Sequence, residues 1–170
     1  MNTQKLRLAG VVKQSIVDGP GLRLTVFTQG CPHKCPGCHN PETHDFAGGY
    51  DGDPATILAE LDKNPLLAGV TLTGGEPVCQ AEALLPLAKG VRERSKNLMM
   101  YTGYTLEQLL EMMAKDSALA ELLSLIDILV DGPFVLAERD LTLLFRGSRN
   151  QRLLDLHSSL AKGEPVLWQG

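Results

Sequence analysis

Short apolar runs alternate along this chain with longer stretches whose apolar positions recur at helical spacing. Leu22 to Gln29 alternates apolar and polar residues with a period of two and predicts a strand, approached through the turn-rich segment Gln14-Ser15-Ile16-Val17-Asp18-Gly19-Pro20-Gly21. Phe46 to Gly52 reads as a glycine-rich connection. Asp53-Pro54 has the form of an N-cap followed by proline at the first helical position, and Ile57, Leu58 and Leu61 continue as a helix that Asn64-Pro65 ends. Gly69 to Thr73 is a β-branched strand stopping at Gly74-Gly75-Glu76-Pro77. Leu84, Leu87 and Val91 then recur as on a helix, in which Pro86 belongs to the first turn or to a kink. Asn97 to Tyr101 predicts the next strand, and Thr105 with Gln108 forms a capping box for a helix carrying Leu106, Leu109, Leu110 and Met113. Leu119 to Leu123 adds a helical turn, and Ile126 to Val130 is a fourth strand closing at Asp131-Gly132-Pro133. Beyond it, Leu143 to Arg152 reads as a polar turn and Arg152 to Leu156 alternates loosely. Ser158 to Gly163 is expected to turn the chain, and Pro165 to Trp168 to close as a strand.

Strands alternating with helices imply an α/β fold with right-handed crossovers and a mainly parallel sheet. Their number falls short of a closed eight-fold barrel, so a partial, open (β/α) barrel is expected. The 170 residues, 44% of them hydrophobic, suffice for one domain, 1–170, with a proper core. Four loops follow predicted strands: the one bearing Cys31, then Gly74-Gly75-Glu76, Tyr101-Thr102-Gly103 and Asp131-Gly132. Strand C-terminal ends are where parallel α/β sheets place their sites.

Charge narrows the choice of partners. A net charge of −4 gives no general basic surface for nucleic acid, and Arg146, Arg149 and Arg152 form only a local basic group. The first residues lead into no long apolar run, and no stretch of about 18 apolar residues occurs, so a soluble, cytoplasmic protein without membrane contact is expected. Of four cysteines, three crowd into Cys31-Pro32-His33-Lys34-Cys35-Pro36-Gly37-Cys38, which fits metal binding in a reducing compartment rather than a disulfide framework. Three thiolates on one tight loop can hold three irons of a cubane cluster and leave the fourth open to a non-protein ligand. A zinc knuckle completed by His33, His39 or Cys79, or simply buried thiols, would also use these residues.

C-x3-C-x2-C on a strand-following loop, with the later Gly74-Gly75-Glu76-Pro77, resembles the radical S-adenosylmethionine (SAM) superfamily. Val17-Asp18-Gly19-Pro20-Gly21 resembles its glycyl-radical-enzyme activases. Tyr101-Thr102-Gly103-Tyr104, Leu129-Val130-Asp131-Gly132 with Phe134-Val135, and Arg146-Gly147-Ser148 with Asn150-Gln151 narrow the resemblance to activases of anaerobic (class III) ribonucleoside-triphosphate reductase. The resemblance implies a radical SAM barrel and an oxidoreductase carrying one [4Fe-4S] cluster on Cys31, Cys35 and Cys38, with SAM chelating the open iron. It implies a large glycyl radical reductase as protein substrate and a low-potential electron donor such as flavodoxin or ferredoxin. By the same resemblance Gly74, Gly75 and Glu76 receive the SAM amino group, Asn40 and Thr102 help hold its carboxylate or ribose, and Asp131 stands near SAM or a bound cation. The alternatives are activation of another glycyl radical enzyme such as pyruvate formate-lyase, a non-catalytic iron–sulfur module, or a zinc-stabilised binding domain. Many superfamily members have an aromatic residue before the third cysteine, where this chain has Gly37. Cys79 lies outside the motif and is expected to be a small buried residue, and His33 and His39 are expected to face solvent or cap the loop.

Overall fold

In the computed structural model, which describes residues 5–33, 35–38 and 41–169, the extended runs are β1 Leu6–Ser15, β2 Arg23–Thr28, β3 Tyr50–Gly52, β4 Gly69–Gly74, β5 Asn97–Tyr101, β6 Ile128–Asp131 and β7 Arg152–Asp155. They pair into one sheet of order β3-β1-β2-β4-β5-β6-β7. The centre, β2 to β6, is parallel, as strands joined by crossovers must be. The edges are not: β1, β3 and β7 join antiparallel, so the expectation of a mainly parallel sheet holds for the central strands alone. Only β1 returns to its partner by a short turn, through residues 16–22; β3 and β7 reach β1 and β6 over longer connections.

The helices are α1 Pro54–Lys63, α2 Ala81–Glu93, α3 Leu106–Met113, α4 Ser117–Ser124 and α5 Leu156–Lys162. Asp53 caps α1 by accepting from the Ala55 amide, and the Thr105/Gln108 capping box opens α3. Pro86 lies inside α2 rather than in its first turn, because a 3-10 turn at Pro77–Gln80 starts the winding early. Both Pro86 and Glu82, whose carbonyl the missing N–H would have satisfied, are exposed, so water can take that carbonyl. Two expectations for the tail fail. Ser158 to Lys162 is helix, capped by Asp155 at one end and by Gly163 at φ +71° at the other. Pro165 to Trp168 contributes one bridge, Leu154 to Leu167, not a strand.

Strand alternation divides the sheet into two faces. Leu24, Val26, Val70, Leu72, Leu98, Met100, Leu129 and Leu154 pack with the helices in the main core. The opposite face carries Thr25, Thr71, Thr73 and Tyr101 beside a small cluster of Met99, Ile128, Val130 and Leu153. Polar groups so placed need partners. Arg23, fully buried, supplies them at the sheet's lower end: its guanidinium donates to Thr71 Oγ1 at 2.7 Å, to the carbonyls of Pro20 and Val70 at 3.0 Å each, and to Asn97 Oδ1 at 2.8 Å. Burial pulls its pKa down to about 10, still far above neutrality. It thereby pins the Asp18-Gly19-Pro20-Gly21 turn to β4 and β5. Arg23→Met keeps the volume but strands several buried acceptors, and should cost about 3 kcal/mol of stability. An unchanged urea midpoint would show that those carbonyls find other donors.

Candidate functional site

The cysteine turn leaves the sheet at the end of β2 and is fastened by backbone pairs before any cysteine side chain is considered. Gly30 N donates to Thr43 O at 2.7 Å, Cys31 N to His44 O at 3.2 Å, and Cys38 N to Cys35 O at 3.1 Å. Gln29 ties the loop's far limb through its amide to the carbonyls of Glu42 and Asp45, while Gln80 holds the Gln29 carbonyl. Cys31 is buried, whereas Cys35 and Cys38 are half-exposed, and none of the four cysteines forms a disulfide. Gly37 adopts φ +74°, and a Cβ there would meet Leu136 at 2.8 Å and Phe134 at 3.3 Å. Leu136 and Phe134 thus occupy the space over the turn that a larger residue at position 37 would claim. Among the described residues no three Cys, His, Asp or Glu side chains converge on a point that one metal ion could fill. A cubane asks for a different arrangement, with each thiolate on its own iron, and the all-sulfur donor set of this turn suits it.

Gly74-Gly75-Glu76 is built against the root of this turn. Gly75 N donates to Thr28 O and Glu76 N to Gly30 O, both at 2.8 Å. A Cβ on Gly75 would stand 2.4 Å from the Gly30 carbonyl oxygen, and one on Gly74, at φ +95°, 2.6 Å from Thr28 N. The glycines are therefore required by the close approach of two backbones. Glu76 is fully buried and its carboxylate is crowded with donors: Val78 N at 3.0 Å, Thr102 Oγ1 at 2.9 Å, Gly103 N at 2.7 Å and the His33 ring at 2.7 Å. Its acceptor capacity is taken within the protein. Thr102 is likewise buried and also receives the Tyr104 amide.

Cys79, on the 3-10 turn beyond Glu76, has its thiol pushed up to about 11 by burial, with the charges of Glu76 and Cys31 adding. Asp131 is also buried, and its side chain has partners of its own. It accepts from Leu106 N at the head of α3 at 2.8 Å and from Arg152 Nε at 3.0 Å, and Arg152 reaches on to Glu107. Asn40 lies outside the described residues. The structure thus brings Gly74, Gly75, Glu76 and Thr102 together beside the cysteine turn, while the Asp131 carboxylate is bonded to the head of α3 and to Arg152.

On the sheet face opposite the helices, a cavity of about 390 Å³ opens between the strand ends and the 143–151 turn, within the range of small-molecule sites, roughly 300–1,000 Å³. Cys38 reaches its wall, joined by Asp18, Thr73, Tyr101, Phe134 and Arg146. Tyr101 donates to the Phe145 carbonyl at 2.6 Å, and burial pushes its phenol pKa up. Asp18 accepts from Ser15 and Thr25. Of the late motif, Ser148, Asn150 and Gln151 bind backbone of the Gly132 to Val135 loop or of their own turn. Arg146 faces the cavity, donating only long bonds to the carbonyls of Leu144 and Gln151. What sequence reasoning missed is His33: its partner lies 43 positions away, and nothing local marks it.

Residues 17–154, which include the three-thiol turn after β2, match the family described as a 4Fe-4S single cluster domain, and this makes the chain an iron–sulfur protein. The anaerobic ribonucleoside-triphosphate reductase-activating protein of Pasteurella multocida (strain Pm70) is 40% identical over 80% of this chain and 89% of its own. The proteins of that name from Vibrio cholerae serotype O1 and Escherichia coli (strain K12) are 38% and 35% identical over 80% of this chain and 89% and 90% of theirs. The chain belongs to this family of activating proteins. Among solved structures, QueE from Escherichia coli is similar over 59% of this chain and 54% of its own, with a TM-score of 0.49 and 18% identity.

Proposed function

We propose that this chain is a radical SAM activase: it reductively cleaves SAM and generates a glycyl radical on anaerobic ribonucleoside-triphosphate reductase. The observation that carries the reading is the three-cysteine turn standing at the wall of the cavity, in a chain with 35–40% identity to proteins named for activating that reductase. The central parallel strands, with helices on one face and the cavity on the other, support a partial, open barrel of the radical SAM type carried by one domain, 1–170.

Cys31, Cys35 and Cys38 would hold the [4Fe-4S] cluster. Bound there, such a cluster would supply the electron for reductive cleavage of SAM, the chemistry from which a glycyl radical on the reductase would follow. The protein's residues bind, orient and exclude water. The carbonyls of Gly74 and Gly75 would accept from the SAM ammonium, and Glu76 with Thr102 holds the frame in which they stand. Asn40 contributes to the carboxylate or ribose. Phe134, against Gly37 and in the cavity wall, offers the aromatic face that position 37 lacks. Asp131 supports the site from behind by capping α3 and holding Arg152. The cavity mouth is covered during turnover by the glycine-bearing loop of the reductase, with the Arg146 to Arg152 turn as a contact, because a carbon radical open to water would be quenched. A low-potential donor such as flavodoxin or ferredoxin would supply the electron. No nucleic acid takes part, in keeping with the net charge of −4. Among the described residues no helix is long and apolar enough to cross a membrane, and the thiol content supports a reducing, cytoplasmic setting.

An anaerobic mixture of reduced protein, SAM and reductase should show a glycyl doublet in electron paramagnetic resonance (EPR). Deuterium from glycine-labelled reductase should appear in 5′-deoxyadenosine. Efficient transfer from a free small molecule with no glycyl signal would sink the activase reading.

A further inference from the structure

We propose that His33 is a positioning residue that registers the cysteine turn against the SAM side of the site, acting through Glu76; this rests on the function proposed above. His33 stands between Cys31 and Cys35, so anchoring its ring fixes the turn midway between two thiols. The anchor is strong. A carboxylate that already accepts from Val78 N, Thr102 Oγ1 and Gly103 N can only accept again, so the His33 ring nitrogen at 2.7 Å from Glu76 Oε1 is the donor. The acceptor is fully buried while His33 is 17% exposed, and hydrogen bonds to ionised groups away from water are the strong ones. The ring also lies edge-on to Tyr104, centroids 4.6 Å apart with an interplanar angle of 73°.

The surroundings make room for this ring. A Cβ at Gly103 would stand 2.5 Å from His33 Cδ2 and 2.6 Å from its Nε2, so only glycine at the end of β5 lets the imidazole reach Glu76. One carboxylate thereby joins three pieces of chain: the cysteine turn, its own turn after β4, and the Thr102-Gly103 segment that follows β5. The Gly74 and Gly75 carbonyls directly precede it. This joint sets the spacing between the thiols and those carbonyls, and a site that holds a ligand between such groups tolerates errors well under 1 Å.

The test uses reconstituted His33→Ala, His33→Gln and Gly103→Ala. Without SAM, amide hydrogen exchange at Gly103 and Val78, both donors to Glu76, should be about tenfold faster in His33→Ala than in the wild type. With iron content matched, the SAM concentration that half-changes the EPR spectrum of the reduced cluster should rise about tenfold in His33→Ala. It should rise as much in Gly103→Ala, whose methyl displaces the ring, and return towards wild type in His33→Gln, whose amide can still donate. Unchanged exchange together with an unchanged SAM midpoint in His33→Ala would overturn the proposal, as would a failure of His33→Gln to restore either. A wild-type spectrum indifferent to SAM would count against the radical SAM reading, and the exchange measurement alone would then decide for or against the latch.

Discussion

Cys31→Ala, Cys35→Ala and Cys38→Ala should each reduce bound iron and sulfide, and SAM cleavage with them, to background, while Cys79→Ala retains most of both. The three residues share one short turn whose backbone is held at Cys31 and closed between Cys38 and Cys35, so the donors are presented together and no neighbouring cysteine can replace one that is lost. A cubane attached at three points has one iron for SAM; losing a thiolate leaves two irons without protein ligands. Cys79 stands elsewhere, on the Pro77–Gln80 turn, and burial holds it as a thiol near neutrality with a pKa of about 11, whereas thiolate is the ligand form. Iron and sulfide analysis of anaerobically reconstituted variants, with chromatography of 5′-deoxyadenosine, reads the result. Equal loss in Cys79→Ala would place that residue in the ligand set.

The parts of this molecule legible from sequence are those whose cause is local. Of the central strands, β2 announces itself by its alternation and β4, β5 and β6 as short runs that end near glycine, and the caps at Asp53 and Thr105 lie within three residues of the amides they satisfy. The missed elements depend on distant partners or broken patterns. In β1 the alternation of Leu6 and Leu8 slips at Ala9-Gly10, where its register with β2 shifts, and period two is lost to the eye. In β3, Tyr50–Gly52 is a glycine-bearing edge held by β1 and by Arg7, which bonds Asp51 and the carbonyls of Gly48 and Gly49. For α5 the signals were present, Asp155 before the helix and Gly163 after it, but seven residues between a strand and a glycine read equally well as a turn.

The candidate site divides in the same way. Cysteine spacing and strand-end glycines are local patterns with a chemical reason, and they are where the sequence places them. The roles of acids are not local. Glu76 is filled by groups 26, 27 and 43 positions distant, and Asp131 is turned to Arg152 and the head of α3, 21 and 25 positions away. A carboxylate after a strand could serve a ligand or the protein; only the fold decides which donors reach it.

Gly75→Val should fail at the cysteine turn before it fails at SAM. Its Cβ would lie 2.4 Å from the Gly30 carbonyl oxygen and 3.0 Å from Gly30 N, and these are backbone atoms one residue before Cys31, with no rotamer to yield. To admit the side chain, the end of β4 must part from the end of β2, which breaks the Gly75 N to Thr28 O and Glu76 N to Gly30 O bonds. Forced overpacking of this kind costs about 3 kcal/mol, and at roughly 2–4 °C per kcal/mol for a chain of this size the Tm should fall by roughly 10 °C. Because the displaced atoms root the turn, iron uptake should fall as well, whereas Gly75→Ala, with one methyl group to place, should show both effects in smaller degree. Calorimetry and iron analysis separate this from a role at the ligand alone. A Gly75→Val protein with wild-type Tm and full iron but weakened SAM binding would move the reason for that glycine from the meeting of two backbones to the SAM amino group.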